Sequence, residues 1–408
     1  MSTATYRHSP TTGSTSARDA GGAVAPPALR DAFANVASPA APRLPATPET
    51  VAVASRHREA GSTRRGRTHV DRGLTTAAAP LALKDRIQLR ALEAVNRFGV
   101  IRTFDVAACC FPERPFKAAL TAAQRAMRGL VKAGVLKRFR TDRQQHVYGL
   151  TRAGAKFLED RGIPARATVH RVADMTNPEH LLWSSFIVTC CEVRGLRAQT
   201  ESELLQDLAR RHGSGGAPMR GLLQVPVKKG AKTLARALRP DAFAFEDDGV
   251  TWFEIDRSRR GDERAKSLEA LFARVGDKLN NGQWLKRVVV LTKSERILSS
   301  DLAIAEALVK DPRELRFASS GGVALRRVQD GVYEVWGERR ITHGDGRTSM
   351  ALALRGHVVI QMLPLNLPKF RLDERNVAST AGWFCDNYLP YVRPASLGPW
   401  PMPTSPLL

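Results

Sequence analysis

The sequence predicts a multidomain chain of mixed α+β and α/β type, in which a helical segment closed by a two-stranded wing precedes a mixed sheet flanked by helices. Three observations carry this expectation. Between Leu83 and Gly154, three helix-period stripes are followed by two short strand-like runs and a further helix start. Between Phe243 and Ile255, two short apolar arms enclose Glu246-Asp247-Asp248-Gly249, the signature of a β-hairpin. Beyond that hairpin, helix-period and strand-like stretches alternate, as in an α/β layer.

Composition sets the limits. At 408 residues, 43% of them apolar, the chain is long enough for two or three domains with ordinary cores. Its formal charge of +23 and isoelectric point near 10.6 point to a polyanionic partner, with nucleic acid ahead of an acidic membrane surface. No run of about eighteen apolar residues occurs, which argues against a membrane span. No compact apolar core follows the first basic residue, so a secretory signal is not supported and the expected location is the cytoplasm. Five cysteines, Cys109, Cys110, Cys190, Cys191 and Cys385, make two adjacent pairs and a singleton. That pattern fits neither a disulfide framework nor zinc spacing and reads as buried free thiols.

In chain order, residues 1–80 are rich in Ala, Pro, Ser, Thr and Gly with scattered Arg, and read as a disordered basic tail. Its basic run His57 to His69 can add salt-sensitive phosphate contacts or serve only as a solvated linker. Residues 81–170 are expected to form one domain. Ile87, Leu89, Leu92, Val95 and Phe98 make a helical stripe that stops at Gly99. Thr103 is positioned to cap a short helix over Phe104 to Cys110, broken by Pro112 and Pro115. A third helix, Phe116 to Ala133, buries Leu120, Ala123, Met127, Leu130 and Val131 and ends at Gly134. Val135–Arg140 and His146–Leu150 read as strands around a polar turn, and Thr151 to Gly154 starts a further helix.

Helix, helix, helix, wing, helix is the winged helix-turn-helix arrangement, and the stretch Leu130 to Arg138 with Tyr148 to Gly154 resembles the wing of bacterial winged-helix proteins. In that arrangement the third helix enters the major groove of double-stranded DNA and the wing lies along a neighbouring backbone. Seven basic residues from Arg125 to Arg143 stand against one acid, Asp142, on the surface that would be presented. The candidate DNA-binding residues are Lys117, Gln124, Arg125, Arg128, Lys132, Lys137, Arg138, Arg140 and Arg143. A homodimer on paired half-sites is compatible with this architecture but not required by it.

Residues 175–340 are expected to form the sheet-based domain. Asn177-Pro-Glu179 opens a helix to about Val193, on whose first turn His180 reads as structural. Leu196 to Thr200 is a short strand, and Arg210 to Gly230 reads as a basic, Gly-rich loop. In the hairpin, Asp241 opens the first arm while Glu254 and Asp256, two apart, share one face of the second. Carboxylates so close together need a metal, a cation or a proton. Arg257, Arg259 and Arg260 follow at once and can hold phosphate or neutralise the acids. Glu263 to Leu279 is helical in pattern, Val288 to Thr292 is the most strand-like run, Ser299 to Val309 is a helix and Leu315 to Phe317 a short strand. Val332 to Trp336 is expected as an edge strand, with Ala351 to Leu354 and Val358 to Met362 as two more. Residues 341–408 read as a C-terminal extension whose Pro-rich end frays after Tyr388.

Two resemblances follow from these residues. Pro240-Asp241, the hairpin and Glu254-Ile255-Asp256, bracketed by helices and a strand, resemble the core of the PD-(D/E)XK nuclease-like fold, a restriction-endonuclease-like mixed sheet. The winged helix, the Glu179-His180 helix and Arg239-Pro-Asp-Ala…Phe253-Glu-Ile-Asp-Arg257 in this order resemble the replication-relaxation family of bacterial plasmids and mobile elements, over roughly Leu83 to Thr292. The nuclease resemblance implies that Asp241 and Glu254 bind Mg²⁺ and that a Lys two residues after the Glu helps to activate water. That position is Asp256, which cannot supply the charge; Lys266 or Lys278 on the following helix can stand in. The catalytic candidates are therefore Asp241, Glu254, Asp256 and Lys278.

Three functions remain open. The first is a DNA-binding protein of plasmid or mobile-element replication, transfer or its control in the bacterial cytoplasm, working with other replication or transfer proteins. The second is a Mg²⁺-dependent endonuclease or nickase targeted by its winged helix, and the third a non-catalytic protein-interaction scaffold.

Overall fold

The computed structural model describes residues 80–141, 146–173, 178–212, 221–229, 232–256, 262–310, 322–342, 344, 346–363 and 389–404. The tail expected over residues 1–80 lies outside them up to residue 79, as do Arg143, Arg257, Arg259, Arg260, Cys385 and the strand expected at Leu315.

The chain enters α1 (Pro80–Phe98) on a proline, whose fixed φ suits a first helical turn, and leaves it at Gly99 with φ +74°. α2 (Thr103–Cys110) is capped differently from expectation. Thr103 lies inside the first turn and its hydroxyl meets the Tyr148 hydroxyl at 3.3 Å. The Asp105 carboxylate instead accepts from the Arg102 backbone N–H at 2.8 Å and from its guanidinium at 2.7 and 2.9 Å, a buried pair that pins the helix start. α3 (Phe116–Lys132) buries Phe116, Ala119, Leu120, Ala123, Met127 and Leu130. β1 (Leu136–Arg140) and β2 (His146–Leu150) pair antiparallel from Leu136↔Leu150 to Arg140↔His146. The Thr151 hydroxyl accepts from Gly154 N–H at 3.0 Å to cap α4 (Arg152–Glu159).

After the short α5 (Val169–Ala173) comes α6 (Glu179–Glu192), buried along nearly its whole length. A mixed seven-stranded sheet is built from β3 (Arg197–Thr200), β6 (Ala242–Glu246), β7 (Gly249–Asp256), β8 (Leu285–Thr292), β9 (Val323–Gln329), β10 (Val332–Thr342) and β11 (Thr348–Met362), in the order β3-β6-β7-β8-β11-β10-β9. β8 runs parallel to both β7 and β11, and its Val288–Leu291 run is buried on both faces as a central parallel strand requires. The fold is thus α+β, a mixed sheet flanked by helices.

Side chains alternate between two cores. Ala242, Ala244, Phe253, Ile255, Val289 and Leu291 face α6 and the N-terminal helices, whose core is continuous with theirs; Phe104 of α2 meets Phe186 of α6 at 5.4 Å between ring centroids. Phe243, Trp252, Val288, Val290 and Val358 face α7 (Glu201–His212), α8 (Asp262–Phe272), α9 (Glu295–Glu306) and an antiparallel hairpin of β4 (Leu223–Lys229) and β5 (Lys232–Leu238).

That hairpin replaces part of the loop expected over Arg210 to Gly230: Leu223, Val225 and Leu238 bury themselves under α8. α8 ends at Phe272 rather than Leu279, because the chain turns back at Gly276, φ +89°, where its N–H reaches Leu285 O at 2.6 Å. β10 is an interior strand rather than an edge, and β11 is one continuous strand across the two runs read separately. The boundary expected at residue 340 therefore cuts a paired strand. Residues 389–404 pack back rather than fray: Tyr391 is fully buried, donates to Glu246 at 2.9 Å and meets Trp400 edge-on, and Thr404 N–H donates to Val193 O at 2.8 Å.

Cys109, Cys110, Cys190 and Cys191 are free and buried, and burial pushes the Cys190 thiol up to about 12. Among the described residues no helix is long and apolar enough to cross a membrane.

Candidate functional site

Two groups of residues were singled out by their chemistry, and the fold places them on different elements. The first is the face of α3 and β1. Lys117, Thr121, Arg125, Arg128 and Lys132 recur at spacings of three and four, so they share one stripe of α3 opposite its buried residues. Lys117, Arg125, Arg128 and Lys132 are exposed, as are Lys137, Arg138 and Arg140 of β1; Gln124 is half-buried, with its carbonyl accepting from Arg128 Nε at 3.2 Å. Across the hairpin, His146 has its pKa lowered by partial burial first and then by Arg138 and Arg140. Burial alone acts in this direction, and the two neighbouring arginines add to it.

The second group is the carboxylate cluster at the C-terminal end of β7. Asp241 accepts from the Ile255 backbone N–H at 2.6 Å and lies 3.0 Å from His180 Nε2. Glu254 accepts from Trp252 Nε1 and from the Arg264 guanidinium, each at 2.7 Å, and Asp256 takes the same guanidinium at 3.4 Å. Glu254 and Asp256 are 6% and 4% exposed, so their charges are compensated inside the protein. Burial raises the Glu254 pKa, Arg264 opposes the rise and Asp241 adds to it.

Asp301 of α9 joins this group. It is 4% exposed, its Oδ2 has no hydrogen-bond partner among the described residues, and its pKa is pushed up to about 7 by burial and then by Asp256, with Arg264 opposing.

The residues named from sequence thus divide. Asp241, Glu254 and Asp256 converge as expected from their positions in the hairpin. Lys278 does not join them: it pairs with Trp284 in a turn beside the Gly249–Leu285 end of β7 and β8, the opposite end from Asp256. Lys266 is exposed on α8. Arg239 pairs with Glu201 at 3.4 Å. The cation that holds the acids is Arg264. It leads the buried Leu268 and Leu271 at i+4 and i+7, so its place on the inward stripe of α8 was readable. Asp301 carries the same signal, falling between buried Ile297 and Ala305 at spacings of four. The His180 contact with Asp241 joins residues 61 apart in sequence and had no local signal.

A divalent ion fits this arrangement poorly. Both oxygens of Glu254 already accept from fixed N–H donors, and a guanidinium occupies the space between Glu254 and Asp256 where a second positive charge would have to sit. Among the described residues no group of three or more His, Cys, Asp or Glu side chains is arranged to hold a metal ion. Beside Asp241 and His180 opens a cleft of about 830 Å³, also lined by Arg97, Arg171, Ser184 and Ser185.

Residues 92–274 match the model of a family described as replication-relaxation, a span that contains both the α3–β1 face and the cluster from Asp241 to Arg264. No curated protein and no solved structure matches the chain.

Proposed function

Through residues 92–274 this chain belongs to the replication-relaxation family, and from that membership we propose that it is a double-stranded-DNA-binding protein acting in the replication, transfer or control of a plasmid or other mobile element. The observation that carries the proposal is the α3–β1 face. Seven exposed cations, Lys117, Arg125, Arg128, Lys132, Lys137, Arg138 and Arg140, lie on one helix stripe and the strand that follows it. In the winged-helix reading, α3 enters the major groove and the β1–β2 hairpin follows the adjacent backbone. Arg and Lys supply phosphate contacts along both elements, and Gln124 and Arg125 are placed to meet base edges.

In this reading the carboxylate cluster is a charge clamp that fixes β7 to α8. The succession α6, β3, β6, β7, α8, β8 supports a nuclease-like scaffold, but Asp256 stands where the nuclease pattern has a lysine and Arg264 neutralises the acids. The scaffold then serves to hold the DNA-binding face and the rest of the chain together rather than to cleave.

The test is a gel shift on plasmid-derived duplex at fixed salt with wild type and Arg125→Ala/Arg128→Ala. The proposal predicts binding by wild type and a loss of roughly tenfold or more in the variant, since each phosphate contact contributes measurably. Equal affinities would move the DNA surface away from α3.

A further inference from the structure

Past Gly337, β10 and β11 leave the sheet. β9 accompanies β10 only to Val323↔Gly337, and β8 accompanies β11 only from Arg287↔His357. The pairs from Glu338↔Leu352 to Thr342↔Thr348 continue as a two-stranded ribbon with no third strand beside it among the described residues. It projects from the end of the sheet opposite the carboxylate cluster.

The root of this ribbon is built to aim it. The register slips between Val335↔Gly356 and Trp336↔Leu354, which leaves Arg355 as the extra residue of a bulge, a device that bends and twists a strand pair. The Arg355 side chain lies across Gly276 and Gly337, where a Cβ on either glycine would come within 2.6 Å of it. Asp277 accepts from its guanidinium, and Lys286 Nζ donates to its carbonyl at 3.3 Å. A cleft of about 630 Å³ opens here, lined by the cations Lys286, Arg339, Arg340 and Arg355, by the acids Asp248, Asp277 and Glu338, and by Trp284, which is 49% exposed.

On the described ribbon and its joining turn Arg339, Arg340 and Arg347 stand against Glu338, and the turn sequence also carries His343 and Asp345. Burial lowers the Lys286 pKa; Arg339, Arg287 and Arg355 lower it further, with Asp248 opposing. One or two charges of either sign would be enough to keep an exposed strand edge from pairing with another chain. Three exposed arginines against one acid on the described ribbon, above a root where Asp248 and Asp277 balance Lys286 and Arg355, go beyond that need and match a polyanion. A two-stranded ribbon is also one of the two elements that the major groove of B-DNA admits.

We infer that the β10–β11 ribbon is a second DNA-binding element, which sets Arg339, Arg340 and Arg347 against the phosphates of a duplex groove. The inference rests on the reading that the chain binds duplex DNA, and its test keeps the two apart. Full-length wild type, Arg339→Ala/Arg340→Ala/Arg347→Ala and Arg125→Ala/Arg128→Ala are titrated onto one duplex over a salt series, with thermal melting and size-exclusion profiles of each. The ribbon variant is expected to melt and elute like wild type, to bind roughly tenfold or more weakly, and to show a salt slope shallower by about two to three, at about 0.9 per phosphate contact.

Wild-type affinity and slope in the ribbon variant, with the α3 variant impaired, would overturn the ribbon and leave the DNA-binding reading standing. So would a wild-type oligomer that the ribbon variant dissolves while DNA affinity stays unchanged, since the ribbon would then be a contact between copies. Absence of duplex binding by wild type at low salt would overturn both.

Discussion

Replacing Asp301 by Asn should stabilise the protein at alkaline pH and do little in acid. Asp301 is 4% exposed, one of its oxygens lacks a partner among the described residues, and Asp256 and Glu254 act on it as like charges. A carboxyl raised from 3.8 to about 7 contributes its stability in full below about pH 4, loses it progressively as pH rises to about 7, and carries the whole penalty above that. At about 1.36 kcal/mol per pH unit the penalty is at most ~4 kcal/mol; relaxation and water entry reduce it, so about 1–3 kcal/mol is expected. Asparagine is neutral at every pH and keeps the shape. The stability gap between Asp301→Asn and wild type should therefore open between pH 4 and pH 7 and be flat above. Urea unfolding followed by tryptophan fluorescence at pH 5 and pH 8 measures it. A gap equal at both pH values, or a variant less stable than wild type at pH 8, would refute the assignment of Asp301 to the carboxylate cluster.

Arg264→Ala should cost about 3–5 kcal/mol at pH 7.5, because it strands Glu254 and Asp256 in the interior. Less should be lost at pH 5, where the stranded acids can take up protons, and Arg264→Lys should fall between, keeping the charge without the planar fork; denaturation midpoints at the two pH values decide. Supercoiled plasmid incubated with the protein and Mg²⁺ should stay supercoiled, whereas metal-dependent nicking that vanishes in Glu254→Ala would contradict the charge-clamp reading of the cluster.

Much of the fold was legible because its signals are local. The hairpin from Ala242 to Asp256 announces itself by two apolar arms around Asp247-Asp248-Gly249, and β8 by four consecutive large apolar residues. The α3 stripe separates cations from core by helical phase alone. What stayed hidden depends on partners far along the chain. β4 and β5 alternate weakly, with Lys228, Lys229 and Lys232 among their apolar residues, and gain their burial from elements distant in sequence, α8 among them. β11 read as two strands because the bulge at Arg355 and Gly356 interrupts its pattern. The acidic turn signalled a hairpin but not its partners: Glu246 and Asp248 are held by the fully buried Arg287, and Glu246 also by Tyr391 from a segment read as frayed. In the cluster, the spacing of Glu254 and Asp256 gave their shared face. The identity of their counter-ion depended on which face of α8 met β7, and the nearer arginines in sequence were the more obvious candidates.

The salt dependence of duplex binding tests the central claim most directly. For wild type, log K should fall linearly with log salt with a slope near −4 or steeper, and neutralising Arg125, Arg128 and Lys132 together should make that slope shallower by about two to three. An affinity indifferent to salt, or a slope unchanged when those three cations of α3 are removed, would contradict the account.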